Sequence, residues 1–450
     1  MEDNLQVPRH LQLEQEDLPQ VKAPAGDFVP ASDCRIESLG GRIFARREDR
    51  RFSRKPWYAM DASRRNLLKA AAILLVDQWA SSHKLAFAGE SPNSSGKDER
   101  KVILVACGGI RRAETFLDTG LVNIPHLYRE LLPQSVFYPL LRNAGVTSHY
   151  NTISSILTGT WQRLDDWGKT PPNTPTLFEY LRKRMALTQD NTWLISSNKA
   201  LTSRIGASSI RDFGPRYGAN VVFPKQLLIN AVIRAASQGH AEHSADRAAM
   251  QPELEAILLH TDNYEGLGWS VSGDTSSLDI RVQSVLQQAI EDLLRSNVPI
   301  TGDEFTFLVS EEVMKRFAPS LLAITFSDVE VAHFGSYSMH VAGIRTVDRL
   351  VYELWNLVQA LPAYKGKTTL FVLPEFGRDF DGSNTNGFFN HRSTDDSTSL
   401  TWLMCLGEAA RSAQVVEHHV QHIDLCPTIA GLFGIKGLDL PGKALPGLSA

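Results

Sequence analysis

The chain has 450 residues, of which 43% are hydrophobic and 21% charged, a composition typical of a globular protein with a large core and not of a disordered chain. Its 46 basic residues nearly balance its 50 acidic ones, so no overall positive charge favours nucleic acid or a membrane surface, and we expect no nucleic-acid partner. No run of about twenty apolar residues exists, so we expect no integral membrane span.

A candidate export signal lies near the N-terminus. Ser63–Lys69 resembles the twin-arginine export motif, an apolar run Ala70–Val76 follows it, and Ala86–Ala88 is a small-x-small cleavage pattern. Residues 60–88 are therefore predicted to be a twin-arginine signal peptide, with the twin-arginine export machinery as a partner and a periplasmic or secreted location in a bacterium. The alternative is a short amphipathic helix beginning at Asp61.

Two segments without periodicity flank this signal. Residues 1–59 are rich in Pro, Glu and Arg, show neither helical nor alternating periodicity, and are predicted to be disordered. Met60 stands directly before the motif, and we hypothesise that it is the true start. Residues 89–100 form a polar linker, and the remaining domain is expected to span 101–450.

Short apolar runs and amphipathic segments alternate along this domain. Predicted buried strands are Lys101–Cys107, Thr192–Ser196, Leu321–Phe326, Thr368–Leu373 and Leu400–Leu406, with predicted helices at Thr176–Met185 and His340–Ala360. Such alternation predicts an α/β fold with a doubly wound, mostly parallel sheet and helices on both faces. A more polar, helical stretch, about 225–317, is predicted to be a helical insertion or cap.

Charged and imidazole side chains follow several predicted strands. In open α/β sheets ligands bind at the carboxyl ends of the strands, and metal ligands must converge from separate elements. The candidates here are Arg111, Arg112, Asp328, Glu330, His333, Glu375, Arg378 and His391. Each has a simpler explanation by itself, as a solvated turn carboxylate, a loop histidine or a surface ion pair, but jointly they predict a metal site.

Two sets of motifs carry a resemblance. The segment His422–Ile435 looks like the strand-to-helix connection Asp-Leu-x-Pro-Thr near the end of sulfatases and related phosphoesterases. Gly108–Gly109 with Glu114–Phe116, His149 nine residues before Thr158–Gly159, and Glu375–Arg378 followed by His391 resemble a large family of twin-arginine-exported bacterial proteins of unknown function. That family belongs to the alkaline phosphatase and sulfatase superfamily, so the resemblance implies an alkaline-phosphatase-like fold.

The resemblance also implies a remodelled site. Active phosphatases of the superfamily have Asp-Gly and Asp-His where this chain has Gly108 and Glu375–Phe376, and their nucleophile position falls on His149. One of the two metal sites therefore looks dismantled. The other carries over to His333, His391 and either Asp328 or Glu330, which lie five and three residues before His333, whereas four is usual. Glu375 is kept among the candidate ligands.

Two functions compete. The first is a hydrolase of phosphate, sulfate or related anionic esters that uses one divalent ion, with zinc or manganese favoured. In it His149 acts as general base or nucleophile, Arg378 holds the anion, and Arg111 or Arg112 assists. The second is a non-catalytic periplasmic protein that binds a small anionic ligand on the same fold.

Overall fold

The computed structural model describes residues 100–224 and 301–449, except 118, 167, 200 and 383–386. All of them belong to one of the two compact units into which the chain divides, Ala62–Ala450. The predicted extension, signal peptide and linker within residues 1–99 lie outside the described residues, as does most of the predicted cap.

A mixed sheet is the centre of the described structure. Its strands are β1 Lys101–Ala106, β2 Ser135–Arg142, β3 Thr192–Ser196, β4 Asn220–Val222, β5 Leu321–Thr325, β6 Thr368–Leu373, β7 Leu400–Gly407, β8 Gln414–Val415 and β9 Val420–Gln421. The order is β4-β3-β5-β1-β6-β7-β2-β8, and β9 also pairs with β2. The five strands from β4 to β6 run parallel, and β7 pairs antiparallel with both β6 and β2.

The helices lie on both sides of this sheet, as the alternating pattern predicted. They are α1 His149–Thr158, α2 Leu177–Met185, α3 Gly302–Phe317, α4 Tyr337–Ala360, α5 Asp396–Ser399 and α6 Leu425–Leu432. In α4 the predicted apolar face is buried from Ile344 to Val358, and Val341 is half-buried. None of the helices in the described ranges is both long and apolar enough to cross a membrane.

The predicted strands agree with the sheet within about one residue. Burial explains this agreement, because β1 and β5 are covered on both faces and so require continuous apolar sequence. Strand β2 was missed: it contains Pro139, and its register with β7 shifts between Tyr138 and Leu141.

Helix α3 is the C-terminal part of the segment, about 225–317, that was predicted to be a cap. It begins with a capping box in which Thr301 and Glu304 bond each other's backbone N–H, and it packs against α4 and strands β3 and β5. This part of the segment thus lies on the sheet.

Candidate metal centre

Three parallel strands deliver the candidate residues to one edge of the sheet. Strand β1 lies between β5 and β6, and Ala106 pairs with Thr325 on one side and with Leu373 on the other. The segments that follow, beginning at Gly108, Ser327 and Pro374, therefore leave the sheet side by side. A further parallel bridge between Gly109 and Phe376 extends the alignment.

Glu330 is the centre of the cluster. It lies on a 3₁₀ helix, Asp328–Phe334, directly after β5. Its Oε1 accepts a hydrogen bond from the Gly109 N–H at 2.7 Å, and its Oε2 lies 3.2 Å from Nε2 of both His149 and His333 and also contacts the Arg378 guanidinium. Burial disfavours the charged form, but Arg378 and His149 hold the pKa of Glu330 well below its usual value. Glu330 is thus ionised.

His333 and His391 face each other. Their Nε2 atoms are 3.1 Å apart, and Nδ1 of His391 donates to the Thr147 carbonyl at 2.7 Å. That bond places the His391 proton on Nδ1, so in neutral His391 the Nε2 lone pair points into the cluster. Burial lowers the pKa of His391 well below its usual value and also lowers the pKa of His333. Both rings are therefore neutral near pH 7.

His149 joins the cluster from the first residue of α1. Its Nδ1 lies 2.7 Å from Glu375 Oε2, so one nitrogen faces Glu375 and the other faces Glu330. Burial opposes protonation, but the two carboxylates outweigh it and raise the pKa of His149 to about 10. Glu375 is thus a hydrogen-bond partner of His149, and its oxygens are not among the candidate metal-ligand atoms, which come from His149, Glu330, His333 and His391.

The donor set fits a divalent transition-metal ion. One ligand atom from each of His149, Glu330, His333 and His391 lies within 4.8 Å of the other three. Tetrahedral ligands with bonds of about 2 Å lie about 3.3 Å apart, close to the 3.1 Å between His333 and His391 and the 3.2 Å between His333 and Glu330. Neutral His333 and His391 and ionised Glu330 are already in the protonation states that metal binding requires, whereas His149, with its raised pKa, is protonated near pH 7. Histidine nitrogen and carboxylate oxygen suit zinc or manganese.

Asp328 does not belong to this group. One of its side-chain oxygens accepts the Asp303 N–H at 2.8 Å at the start of α3. In return, the buried Asp303 carboxylate accepts the N–H groups of Ser327 and Asp328 at 2.8 and 3.1 Å. The structure thus brings Glu330, the closer of the two alternatives in sequence, to the histidines.

Asp303 itself was missed from the sequence. It fixes the turn that leads into Glu330, yet an acidic residue in the first turn of a helix is ordinary and carried no signal of this role.

The arginines that were expected to bind an anion are engaged with the protein. Arg111 donates to both Glu114 oxygens and, at 2.8 Å, to Asp381. Arg112 lies half-buried with Nη1 at 3.4 Å from the Pro139 carbonyl. Besides its contact with Glu330, Arg378 donates to the carbonyls of Gly109 and Phe388 at 2.9 and 3.2 Å.

The two glycines of the motif leave room for Glu330 and Phe376. Gly108 has a φ of +68°, and a Cβ on it would lie 2.7 Å from Glu330 Oε1. A Cβ on Gly109 would lie 2.9 Å from the Phe376 ring. A side chain at position 108 would therefore displace the carboxylate that now occupies this place.

Several solved structures resemble the chain at low identity. A protein of the alkaline phosphatase superfamily from Vibrio parahaemolyticus is 12% identical, with 84% of this chain and 76% of that chain covered and a TM-score of 0.41. The phosphonate monoester hydrolase of Agrobacterium radiobacter is 13% identical, with 78% of this chain and 77% of that chain covered and a TM-score of 0.46. Wild-type alkaline phosphatase PafA is 12% identical, with 79% of this chain and 100% of that chain covered and a TM-score of 0.47. No protein-family profile and no curated protein sequence matches the chain.

Proposed function

We propose that the protein is a hydrolase of phosphate or sulfate esters, or of related anionic esters, that uses one divalent metal ion held by Glu330, His333 and His391. The observation that carries the proposal is the buried cluster of one carboxylate oxygen and three imidazole nitrogens at the carboxyl ends of parallel strands. When bound, such an ion supplies Lewis acidity toward an anionic ester.

His149 is proposed to transfer a proton and not to hold the ion. Three protein ligands leave a coordination position open for substrate, as in catalytic sites, whereas a fourth would close it. His149 is held through its Nδ1 by Glu375, so its Nε2 is fixed toward the cluster. A buried carboxylate that orients an imidazole in this way is typical of a general acid or base.

Arg378 is proposed to act as a fixed charge. Its guanidinium is fully buried, and the three partners described above hold it in place. It therefore keeps Glu330 ionised and adds positive charge beside the position of the anion, without turning toward it.

A non-catalytic binding protein is the second candidate. One observation favours it: the charges of the cluster are already balanced, because the two carboxylates Glu330 and Glu375 contact His149 and Glu330 also contacts Arg378. In addition, Phe376 packs against His149 and His391, with ring centroids 4.8 and 4.3 Å apart. An apolar ring thus stands at the position that the resemblance assigns to a metal-binding histidine.

Metal analysis and turnover decide between the two. We expect the purified protein to hold about one equivalent of divalent ion and to hydrolyse members of a panel of aryl phosphates, sulfates and phosphonate esters, with activity lost on chelation and restored by metal. If the metal-loaded protein binds inorganic phosphate or sulfate but hydrolyses none of the panel, the binding protein replaces the hydrolase.

We also propose that the protein is exported by the twin-arginine route and acts in the periplasm or outside the cell. The support is the sequence pattern of residues 60–88 alone.

A further inference from the structure

Exposed apolar side chains are concentrated beside the metal cluster. Within the described ranges seven large apolar side chains are exposed, and five of them lie on two short segments, 334–339 and the described residues of 380–389, which are 380–382 and 387–389. Phe334 is 62% exposed, Tyr337 46% and Phe389 36%, and Phe388 is half-buried. These four aromatic residues are here called the aromatic rim. Isolated exposed apolar residues are common, but a contiguous group marks a binding surface.

Three rings of the rim form a continuous group. The Tyr337 and Phe388 rings are 5.2 Å apart and nearly perpendicular, and the Phe388 and Phe389 rings are 4.4 Å apart. Phe389 also packs over Gly335, where a Cβ would lie 3.3 Å from its ring. The two segments are thus joined through ring contacts, and Phe334 is the residue directly before Gly335.

The rim borders the cluster at its most accessible point. Phe334 follows His333, and the Phe388 carbonyl accepts a hydrogen bond from Arg378. His333 is also the one member of the clustered four that is not fully buried. A ligand that reaches the metal ligands from the His333 side therefore passes the rim.

The chemistry of this surface favours binding of an apolar group of a ligand over binding of an anionic group. Two guanidinium groups beside the rim, those of Arg111 and Arg378, contact carboxylates on Glu114, Asp381 and Glu330. The Tyr337 hydroxyl lies 3.5 Å from Glu114, so a carboxylate also faces this region. Aromatic rings offer large apolar area and stack with other rings.

We propose that the aromatic rim binds the organic group of the substrate, and that this group is aromatic. The inference rests on the proposed function and narrows its substrate class to esters in which the anionic group is joined to an aryl-bearing alcohol. The anionic group lies at the cluster, and the aryl group packs against Phe334 and Phe389.

Two non-hydrolysable ligands test the proposal on the metal-loaded full-length protein. Phenylphosphonate and methylphosphonate carry the same anionic group and differ in the apolar one, and their Kd values can be measured by calorimetry. We expect phenylphosphonate to bind at least about 10-fold more tightly, the effect of partly burying one ring. In the double variant Phe334→Ser/Phe389→Ser the ratio of the two Kd values should fall to near one. Val415→Ser, an exposed apolar residue on edge strand β8, should keep the wild-type ratio.

The outcomes separate the two proposals. If both phosphonates bind equally well, or if the double variant keeps the wild-type ratio, the rim does not bind the organic group and the hydrolase proposal is untouched. If the metal-loaded protein binds neither phosphonate, the anion site itself is wrong and both proposals are overturned. Because both phenylalanines are exposed, their substitution is not expected to unfold the protein, and an unchanged melting temperature checks this.

Discussion

The Nε2 atoms of His333 and His391 lie 3.1 Å apart although 58 residues separate them in the chain. His391 is held by its Nδ1 bond to the Thr147 carbonyl, and His333 lies at the end of the 3₁₀ helix that carries Glu330. The His333 nitrogen lies 3.2 Å from the ionised Glu330 carboxylate, and the ligand atoms of all three residues lie within 4.8 Å of one another. An ion bound by all three would replace the direct contact between the rings.

The metal content of histidine variants tests this arrangement. We expect His391→Ala to lose the bound ion, because two remaining ligands retain a borderline metal poorly. His419→Ala, an exposed histidine of the same chain, is the matched control and should keep about one equivalent. Metal analysis after dialysis gives both values, and equal retention in the two variants would remove the site.

The role of His149 is tested by separating rate from metal binding. His149→Ala should lower kcat by at least about 100-fold while the metal content stays near that of the wild type, because a general acid or base contributes about 100- to 10,000-fold. Glu375→Gln should lower kcat less, since the amide still bonds the ring but no longer carries a charge. If either variant releases the metal, His149 is a fourth ligand.

Gly108→Ala should damage both stability and the site. Alanine at a φ of +68° costs about 1–2 kcal/mol, and its Cβ would also press on the Glu330 carboxylate. Gly437→Ala is the matched control, because Gly437 has a φ of +70° and a Cβ there meets nothing within 4 Å. Urea denaturation should show the larger loss in Gly108→Ala, and metal affinity should fall in that variant alone. Equal losses in both variants would limit the role of Gly108 to its backbone conformation.

The burial of His340 predicts that the folded protein loses stability in acid. Its Nδ1 donates to the Val329 carbonyl at 2.8 Å, its buried Nε2 has no hydrogen-bond partner among the described residues, and burial together with the charge of Arg378 lowers its pKa to about 4. In the unfolded chain the histidine pKa is about 6.5. Between pH 6.5 and pH 4, therefore, His340 binds a proton in the unfolded chain but not in the folded protein. His340 therefore removes about 3 kcal/mol of stability as the pH falls from 7 to 4.

The variant His340→Asn isolates this contribution. Asparagine can still donate to the Val329 carbonyl but does not titrate, so the stability of the variant should fall less steeply between pH 7 and pH 4.5. Urea denaturation at several pH values measures the difference. Parallel curves for wild type and variant would show that His340 has the same pKa in the folded protein as in the unfolded chain.

Export should depend on Arg64 and Arg65 together, because the export receptor reads the pair. Replacing both by Lys should leave the precursor in the cytoplasm, whereas Arg211→Lys with Arg216→Lys, two exposed arginines far from the motif, should not. Cell fractionation and the mass of the product measure this. A double variant that is still processed and exported would refute the signal assignment.

The sequence by itself determined the central parallel strands of the sheet. Parallel strands that are covered on both faces must be continuously apolar, so β1, β3, β5 and β6 could be predicted nearly to the residue, and their carboxyl ends indicated where charged side chains gather. The resemblance of the motifs to known families pointed to His149, Glu375, Arg378 and His391 as residues of one site.

Only the tertiary structure decided how these residues divide their roles. Spacing left Asp328 and Glu330 equivalent as ligands, because both lie close to His333 in the chain; the contact of Asp328 with Asp303, 25 residues away, turns it to the start of α3 and leaves Glu330 facing the histidines. Likewise, Arg111 was expected to bind an anion, but in the structure it pairs with Glu114, three residues later, and with Asp381, 270 residues later. Long-range contacts between charged groups follow from chain packing, which local pattern does not encode.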